Sequence, residues 1–180
     1  MLGQTSQLAN PMVVTPRHTV LVPVDFSSCS RASLQYAINF TSLINASILV
    51  LHVAHETVGE SGSYRKNDDG NPVRPIQMIA ADMLDEFIDG VKKDLTSTEE
   101  VISERRMVVG GLPASRILEV AESENATCII MGTHGRKGLS RLSLGSVAEK
   151  VVQDSRIPVT VIKDLQIEKE KAGSTHNCNS

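Results

Sequence analysis

Short apolar runs alternate along this chain with segments whose apolar residues recur at helical spacing. The apolar runs predict strands covered on both faces and occupy residues 19–24, 47–53, 105–109, 128–131 and 158–162. An amphipathic segment follows each of the first four runs. The segment from Ile76 to Val91 shows the i, i+3, i+4, i+7 spacing of a helix most clearly. Strands that alternate with helices predict an α/β fold, with a parallel sheet between two layers of helices.

Local signals predict how some of the helices begin and end. The serines at Ser27 and Ser28 can cap the first helix, and Asn45 suits its C-terminus. Pro113 suits the first position of the third helix because its fixed φ is already helical. The methionines of the second helix are predicted to fill the core rather than to hold a ligand.

The 180 residues predict one domain with an extension at each end. Residues 1–16 are polar and without period, which predicts a flexible N-terminal arm, and residues 17–163 carry the alternating elements. Within them, residues 55–75 are rich in Gly, Asn and Asp and predict a mobile loop. The charged and polar residues 164–180 predict a disordered tail.

Composition narrows the class of protein without identifying it. A net charge of −3 gives no bulk attraction to nucleic acid or to anionic membranes, and an aromatic content of 3% argues against a base-stacking platform. No apolar stretch approaches the roughly 20 residues of a membrane-spanning helix, and no signal peptide is visible, so a cytoplasmic location is expected. The three widely spaced cysteines argue against a disulfide framework and a zinc site, and Cys29 and Cys128 are predicted to be structural.

The most informative stretch is the loop that follows the fourth predicted strand. Gly132 and Gly135 bracket two residues, and nine more residues precede Gly145-Ser146, which opens a helix. A glycine-bearing loop that leads into a helix N-terminus presents backbone N–H groups to an anion. The loop also carries the basic residues Arg136, Lys137 and Arg141 and no acidic residue. It is neither a Walker A loop nor a dinucleotide fingerprint.

This spacing resembles the nucleotide-binding signature of the universal stress protein family, G-x-x-G-x9-G-[ST], and the match is complete. The resemblance extends over roughly residues 17–163. It implies a single-domain Rossmann-like sandwich whose five-stranded parallel sheet has the order 3-2-1-4-5. It also implies that ATP, with Mg²⁺ on its phosphates, binds in the crevice between the first and fourth strands.

The resemblance assigns nucleotide-binding roles to particular positions. Pro23-Val24-Asp25 matches the family turn at the adenosine pocket, Val53 matches a residue whose backbone contacts adenine, and Met131 matches a position beneath the nucleotide. The remaining predicted binding residues belong to the glycine loop and the helix start: Gly132, Thr133, His134, Gly135, Arg136, Gly145, Ser146 and Val147.

Three of these residues have competing interpretations. Asp25 either helps to cap the next helix or holds a ribose hydroxyl, an adenine amine or hydrated Mg²⁺. Ser146 and Glu149 form a capping box in sequence, a role compatible with binding phosphate. His134 lies beside the predicted phosphates and could accept a phosphoryl group or act as a general acid-base. No catalytic partner is recognisable, so it is interpreted as a loop histidine that donates to phosphate or solvent.

The sequence therefore predicts a stress-response module that binds ATP, without an assigned catalytic residue. One alternative is a slow ATPase or a phosphoryl or nucleotidyl transferase at the same site. Another is a dimeric interaction protein in which the nucleotide is only structural. The ligand could also be AMP, a cyclic nucleotide or another adenylate. The resemblance implies a homodimer in which the last strand, with Val159 and Val161, pairs antiparallel with its copy.

Overall fold

The computed structural model describes residues 18–54, 75–95, 103–134 and 144–163. They form five strands and four helices, and each predicted strand and helix is present. The N-terminal arm, the tail at 164–180 and the loop up to residue 74 lie outside the described residues, so their predictions are untested. In chain order the elements are β1 Thr19–Val24, α1 Ser28–Ile44, β2 Ser47–Ala54, α2 Ile76–Asp94, β3 Glu104–Gly110, α3 Pro113–Ser123, β4 Cys128–Gly132, α4 Ser146–Asp154 and β5 Val159–Ile162.

The strands form one parallel sheet in the order β3-β2-β1-β4-β5, which confirms the expected topology. Helices α1 and α2 bury Leu34, Ile38, Leu84 and Ile88 against one face of the sheet. Helices α3 and α4 bury Ile117 and other apolar residues against the opposite face. The sheet is therefore covered on both sides, which explains why its central strands are apolar throughout.

The ends of the helices follow the local sequence signals. Ser27 is the N-cap of α1, and its side chain accepts a hydrogen bond from the backbone N–H of Ser30. Asn45 ends the same helix in the left-handed conformation, with φ of 49°, and Pro113 is the first residue of α3. None of the described helices is long and apolar enough to cross a membrane.

The two central strands separate before they end. The register of β1 with β4 contains only Val20 with Cys128 and Leu21 with Ile129, whereas β1 stays paired with β2 as far as Val24. Pro23 lies in the part of β1 beyond the β4 pairing, where its missing N–H leaves no gap in that ladder. The separation opens a crevice at the carboxyl ends of β1 and β4, where the strand order reverses.

The prediction that the methionines of α2 fill the core is wrong. Met78 is 51% exposed and Met83 is 40% exposed, and two isoleucines in the same half of the helix, Ile76 and Ile79, are also exposed. The buried side of α2 consists of Ala80, Leu84, Ile88 and Val91. The helix is amphipathic as predicted, but its apolar face is wider than the sheet can cover. Three of the exposed residues line the cavity described next: Ile76, Ile79 and Met83.

Candidate functional site

A cavity of about 750 Å³ opens at the carboxyl ends of the central strands. Of the thirteen residues predicted to bind nucleotide, Gly135 and Arg136 lie outside the described residues. The other eleven all line this one cavity, although they come from four separate parts of the chain. They are Pro23, Val24, Asp25, Val53, Met131, Gly132, Thr133, His134, Gly145, Ser146 and Val147.

The N-terminus of α4 contributes backbone donors to the cavity. Its first intrahelical bond runs from the N–H of Glu149 to the carbonyl of Gly145, at 2.8 Å. The N–H groups of Ser146, Val147 and Ala148 precede that bond, and no side chain caps this helix. All three residues line the cavity. Uncapped N–H groups at the positive end of a helix dipole favour an anion.

The predicted capping box at the start of α4 is absent. The N-cap is Gly145 rather than Ser146, so both members of the predicted pair lie one position too far into the helix. The reason is the hydrogen bond from the N–H of Gly145 to the carbonyl of Thr133, at 2.8 Å, which holds Gly145 in an extended conformation. Ser146 is therefore the first helical residue, and it is exposed at the cavity.

The two described glycines of the signature are required by packing within the protein. A Cβ atom at Gly132 would lie 2.8 Å from the Cβ and 2.9 Å from the carbonyl carbon of Cys29 in α1. A Cβ atom at Gly145 would lie 2.9 Å from the carbonyl oxygen of Thr133. The glycines therefore let the end of β4, the start of α1 and the start of α4 converge around the cavity.

Asp25 supports the start of α1 from the cavity wall. One oxygen of its carboxylate, Oδ1, accepts hydrogen bonds from the backbone N–H of Ser27 at 3.1 Å and from its hydroxyl at 2.6 Å. The capping interpretation is thus correct in part, because Ser27 is the cap and Asp25 orients it. A carboxylate at the cavity also remains suited to a ribose hydroxyl or a hydrated cation.

His134 lies at the described end of the glycine loop. Its Nδ1 is 3.0 Å from the hydroxyl oxygen of Thr133. Its Nε2 is buried and has no hydrogen-bond partner among the described residues. In those same parts of the chain, no group of three His, Cys, Asp or Glu side chains is arranged to hold a metal ion.

The two described cysteines differ in their surroundings. The Sγ atom of Cys29 is 3.9 Å from the hydroxyl oxygen of Thr133, beside the cavity. Cys128, in β4, packs against the core under α1, and burial raises the pKa of its thiol. Both of these thiols are free.

Sequence reasoning did not assign several residues of the cavity wall. Phe26 lies in the turn after Asp25 with φ of 64°, which is unusual for a bulky residue. Its ring centroid is 4.3 Å from that of His52 and 5.5 Å from that of Phe87. The position of His52, just before Val53 at the end of a predicted strand, could have indicated its place in the wall. The other unassigned residues of the wall include Ile76, Ile79, Met83, Pro113 and Ile117.

Comparison with known proteins agrees with this geometry. Residues 16–163 match the model of the universal stress protein family. The chain belongs to that family. It is 31% identical over 149 residues to Universal stress protein MJ0531 of Methanocaldococcus jannaschii, a match that covers 80% of this chain and 81% of that protein.

Solved structures place this universal stress protein among Rossmann-like folds. It superposes on the structure of MJ0577 with a TM-score of 0.63 at 29% identity, covering 82% of this chain and 96% of that one. A universal stress protein from Archaeoglobus fulgidus, solved in complex with dAMP, gives a TM-score of 0.55 at 22% identity, covering 81% and 98%. The second comparison supports the fold alone.

Proposed function

We propose that this universal stress protein binds an adenine nucleotide in the cavity, with Mg-ATP as the first candidate, and acts as a nucleotide-dependent regulatory module. The observation that carries the proposal is the row of uncapped N–H groups at Ser146, Val147 and Ala148. These donors share one cavity with an apolar wall. A nucleotide combines an anionic group with a flat apolar base and matches both parts. A protein of the same fold, the universal stress protein from Archaeoglobus fulgidus, was solved in complex with dAMP.

The phosphates fit the end of the cavity formed by β4 and α4. There the three N–H groups, the hydroxyl of Ser146 and the unpartnered Nε2 of His134 can donate to phosphate oxygens. Asp25 is acidic and suits the ribose hydroxyls or a hydrated Mg²⁺ carried on the phosphates. The apolar wall, which includes Val53 and Met131, suits the base.

Binding without efficient turnover is the function proposed. Phosphoryl transfer needs a group that orients the attacking nucleophile, and the described residues do not bring a carboxylate within hydrogen-bond distance of the His134 ring. Following the nucleotide for release of ADP in the binding samples separates this function from a slow ATPase or transferase. Steady ADP release that disappears on Asp25→Ala or His134→Ala would favour the enzyme.

The test uses a charge change that leaves the helix intact. Ser146→Glu places a carboxylate at the N-terminus of α4, where it repels phosphate but interacts favourably with the helix dipole. Ser146→Gln is the matched neutral control. Isothermal titration with ATP, ADP and AMP, with and without Mg²⁺, is expected to show binding to the wild type. The Glu variant is expected to lose more than about tenfold in ATP affinity, and the Gln variant only a small part of that.

Two results would contradict this function. The first is an absence of binding of any nucleotide to the wild type at millimolar concentration. The second is a Ser146→Glu variant that binds ATP as the wild type does. Thermal unfolding of each variant shows that the fold is preserved, since the added carboxylate is expected to keep or slightly raise the melting temperature.

We also propose that the protein is a homodimer formed through β5. This strand lies at the edge of the described sheet and pairs there with β4 on one side. Val159 and Val161 are only half-buried, and an open apolar edge favours pairing with another strand. Sedimentation of the wild type is expected to give a dimer, and Val161→Lys a monomer, with Val161→Thr as the control. A monomeric wild type at tens of micromolar would contradict the dimer.

A further inference from the structure

His52 lines the cavity, and one hydrogen bond determines which of its ring nitrogens carries the hydrogen. Its Nδ1 is 2.9 Å from the carbonyl oxygen of Val24, at the end of the neighbouring strand. A carbonyl oxygen only accepts hydrogen bonds, so Nδ1 carries the hydrogen. In the neutral ring Nε2 is then a hydrogen-bond acceptor. No other hydrogen bond of this side chain is seen within the described ranges.

The ring of His52 is held in place by an aromatic cluster. Phe26 stacks on it at 4.3 Å with the ring planes tilted by 32°, and Phe87 of α2 meets Phe26 edge to face. The guanidinium of Arg31 lies 5.6 Å from the centre of the Phe87 ring and forms an ion pair with Asp94. Phe26 keeps the left-handed φ of 64°, which is a strained conformation for a bulky residue. The surroundings therefore maintain a strained residue that fixes the orientation of His52.

Most of the other polar side chains of the cavity belong to a separate hydrogen-bonded group. Ser27 joins Asp25, Ser30 and the backbone of His134, and Thr133 contacts the His134 ring. Among the described residues, His52 shares no hydrogen bond with that group. Its ring packs against Phe26, and it shares the cavity wall with the exposed apolar residues of α2. A single fixed acceptor in an apolar wall can recognise one donor on a flat ligand.

We propose that His52 selects the base of the bound nucleotide, and that its Nε2 accepts a hydrogen bond from the 6-amino group of a purine. This inference rests on the proposed nucleotide function. A 6-aminopurine presents a donor at that position, whereas hypoxanthine and guanine present a 6-oxo acceptor. Two acceptors facing each other in an apolar site leave both unsatisfied, so the 6-oxopurines are disfavoured. Phe26 acts as the positioning residue because it holds the imidazole ring.

The test compares ATP with ITP, which differ at the 6-position and at N1 of the base. The wild type is expected to bind ATP about tenfold more tightly than ITP, as one hydrogen bond in an apolar site allows. In His52→Asn the side-chain amide can still donate to the carbonyl of Val24, but no acceptor remains at the position of Nε2. This variant is expected to bring the ATP to ITP affinity ratio close to one, mainly by weakening ATP, while ITP affinity changes less than about twofold.

A measurement on the unmodified protein keeps the proposal testable if His52→Asn does not fold. Long-range ¹H–¹⁵N spectra of the wild type report whether a neutral histidine nitrogen accepts a hydrogen bond. The Nε2 resonance of His52 is expected to move upfield on saturation with ATP and to stay in place with ITP. Equal shifts with both nucleotides would overturn the proposal.

The two proposals fail in distinguishable ways. If the wild type binds ATP but His52→Asn keeps the wild-type ATP to ITP ratio, base selection by His52 is wrong and nucleotide binding stands. Equal affinity of the wild type for ATP and ITP has the same meaning. If no nucleotide binds to the wild type, both proposals are overturned.

Discussion

The N–H of Gly145 donates to the carbonyl of Thr133 at 2.8 Å and thereby ties the start of α4 to the end of β4. Gly145 consequently stays extended, the helix starts at Ser146, and the first three helical N–H groups have no side-chain cap. Which N–H groups α4 presents to the cavity thus depends on this one backbone hydrogen bond between two residues of the glycine loop. A helix that started one residue earlier or later would direct different N–H groups at the cavity.

The two serines near helix starts should behave differently when replaced by alanine. Ser27→Ala removes a real cap and a partner of Asp25, and is expected to cost about 1 kcal/mol in the free energy of unfolding. Ser146→Ala removes no cap and is expected to leave stability within about 0.5 kcal/mol while weakening ATP binding. Urea unfolding and isothermal titration of the two variants check this. Equal losses of stability would contradict the assignment of the caps.

Alanine at the signature glycines is expected to destabilise the protein even without a ligand. An added Cβ at Gly132 meets the backbone of Cys29, and one at Gly145 meets the carbonyl oxygen of Thr133, so the chain must shift at a cost of about 1–3 kcal/mol. Gly90→Ala in α2 is the matched control, because its Cβ meets only the flexible end of Arg31 and alanine favours a helix. Urea unfolding should show a loss for the first two and none for the control.

Variants at the signature glycines change both the packing of the protein and its binding site. A loss of nucleotide affinity in Gly132→Val or Gly145→Val would combine a disturbed fold with a blocked site, which is why the charge change at Ser146 is the sharper test. Wild-type stability in Gly132→Ala would show that α1 can move away from β4 without cost, and would contradict the packing described here.

Replacement of Phe26 should reverse the usual order of alanine and glycine. Both variants lose the ring contacts with His52 and Phe87, but only glycine adopts a φ of 64° without strain. Phe26→Gly is therefore expected to be more stable than Phe26→Ala by about 1 kcal/mol. Thermal or urea unfolding measures the difference. An alanine variant as stable as the glycine variant would show that the turn relaxes once the ring is gone.

The thiol of Cys128 should ionise at higher pH in the folded protein than in the unfolded chain, because burial raises its pKa. Only the thiolate is alkylated, so the pH midpoint of iodoacetamide labelling at Cys128, followed by mass spectrometry, is expected to be higher in buffer than in concentrated urea. The raised pKa also means that this group stabilises the folded protein below its unfolded pKa of about 8.5. That contribution is lost as the pH rises through the folded pKa. Coincident midpoints would contradict the prediction.

Much of the fold could be predicted from local pattern. The apolar runs identified all five strands, and the caps at Ser27 and Asn45 and the start at Pro113 were correct, because each depends on residues adjacent in sequence. The order of the strands came from the family resemblance, since periodicity carries no information about which strands are neighbours. The resemblance also identified eleven residues that the structure brings to one cavity.

The remaining features arise from contacts between residues far apart in the chain. The sequence by itself determined the elements and the glycine spacing, because propensity, periodicity and turn chemistry act over a few residues. Only the tertiary structure decided that Gly145 rather than Ser146 caps α4, since the bond to Thr133 spans the loop. The tertiary structure also decided that apolar residues of α2 line the cavity and that the Phe26 ring packs on His52. These outcomes depend on where the sheet ends relative to its helices, a property of the packed layers that no local pattern specifies.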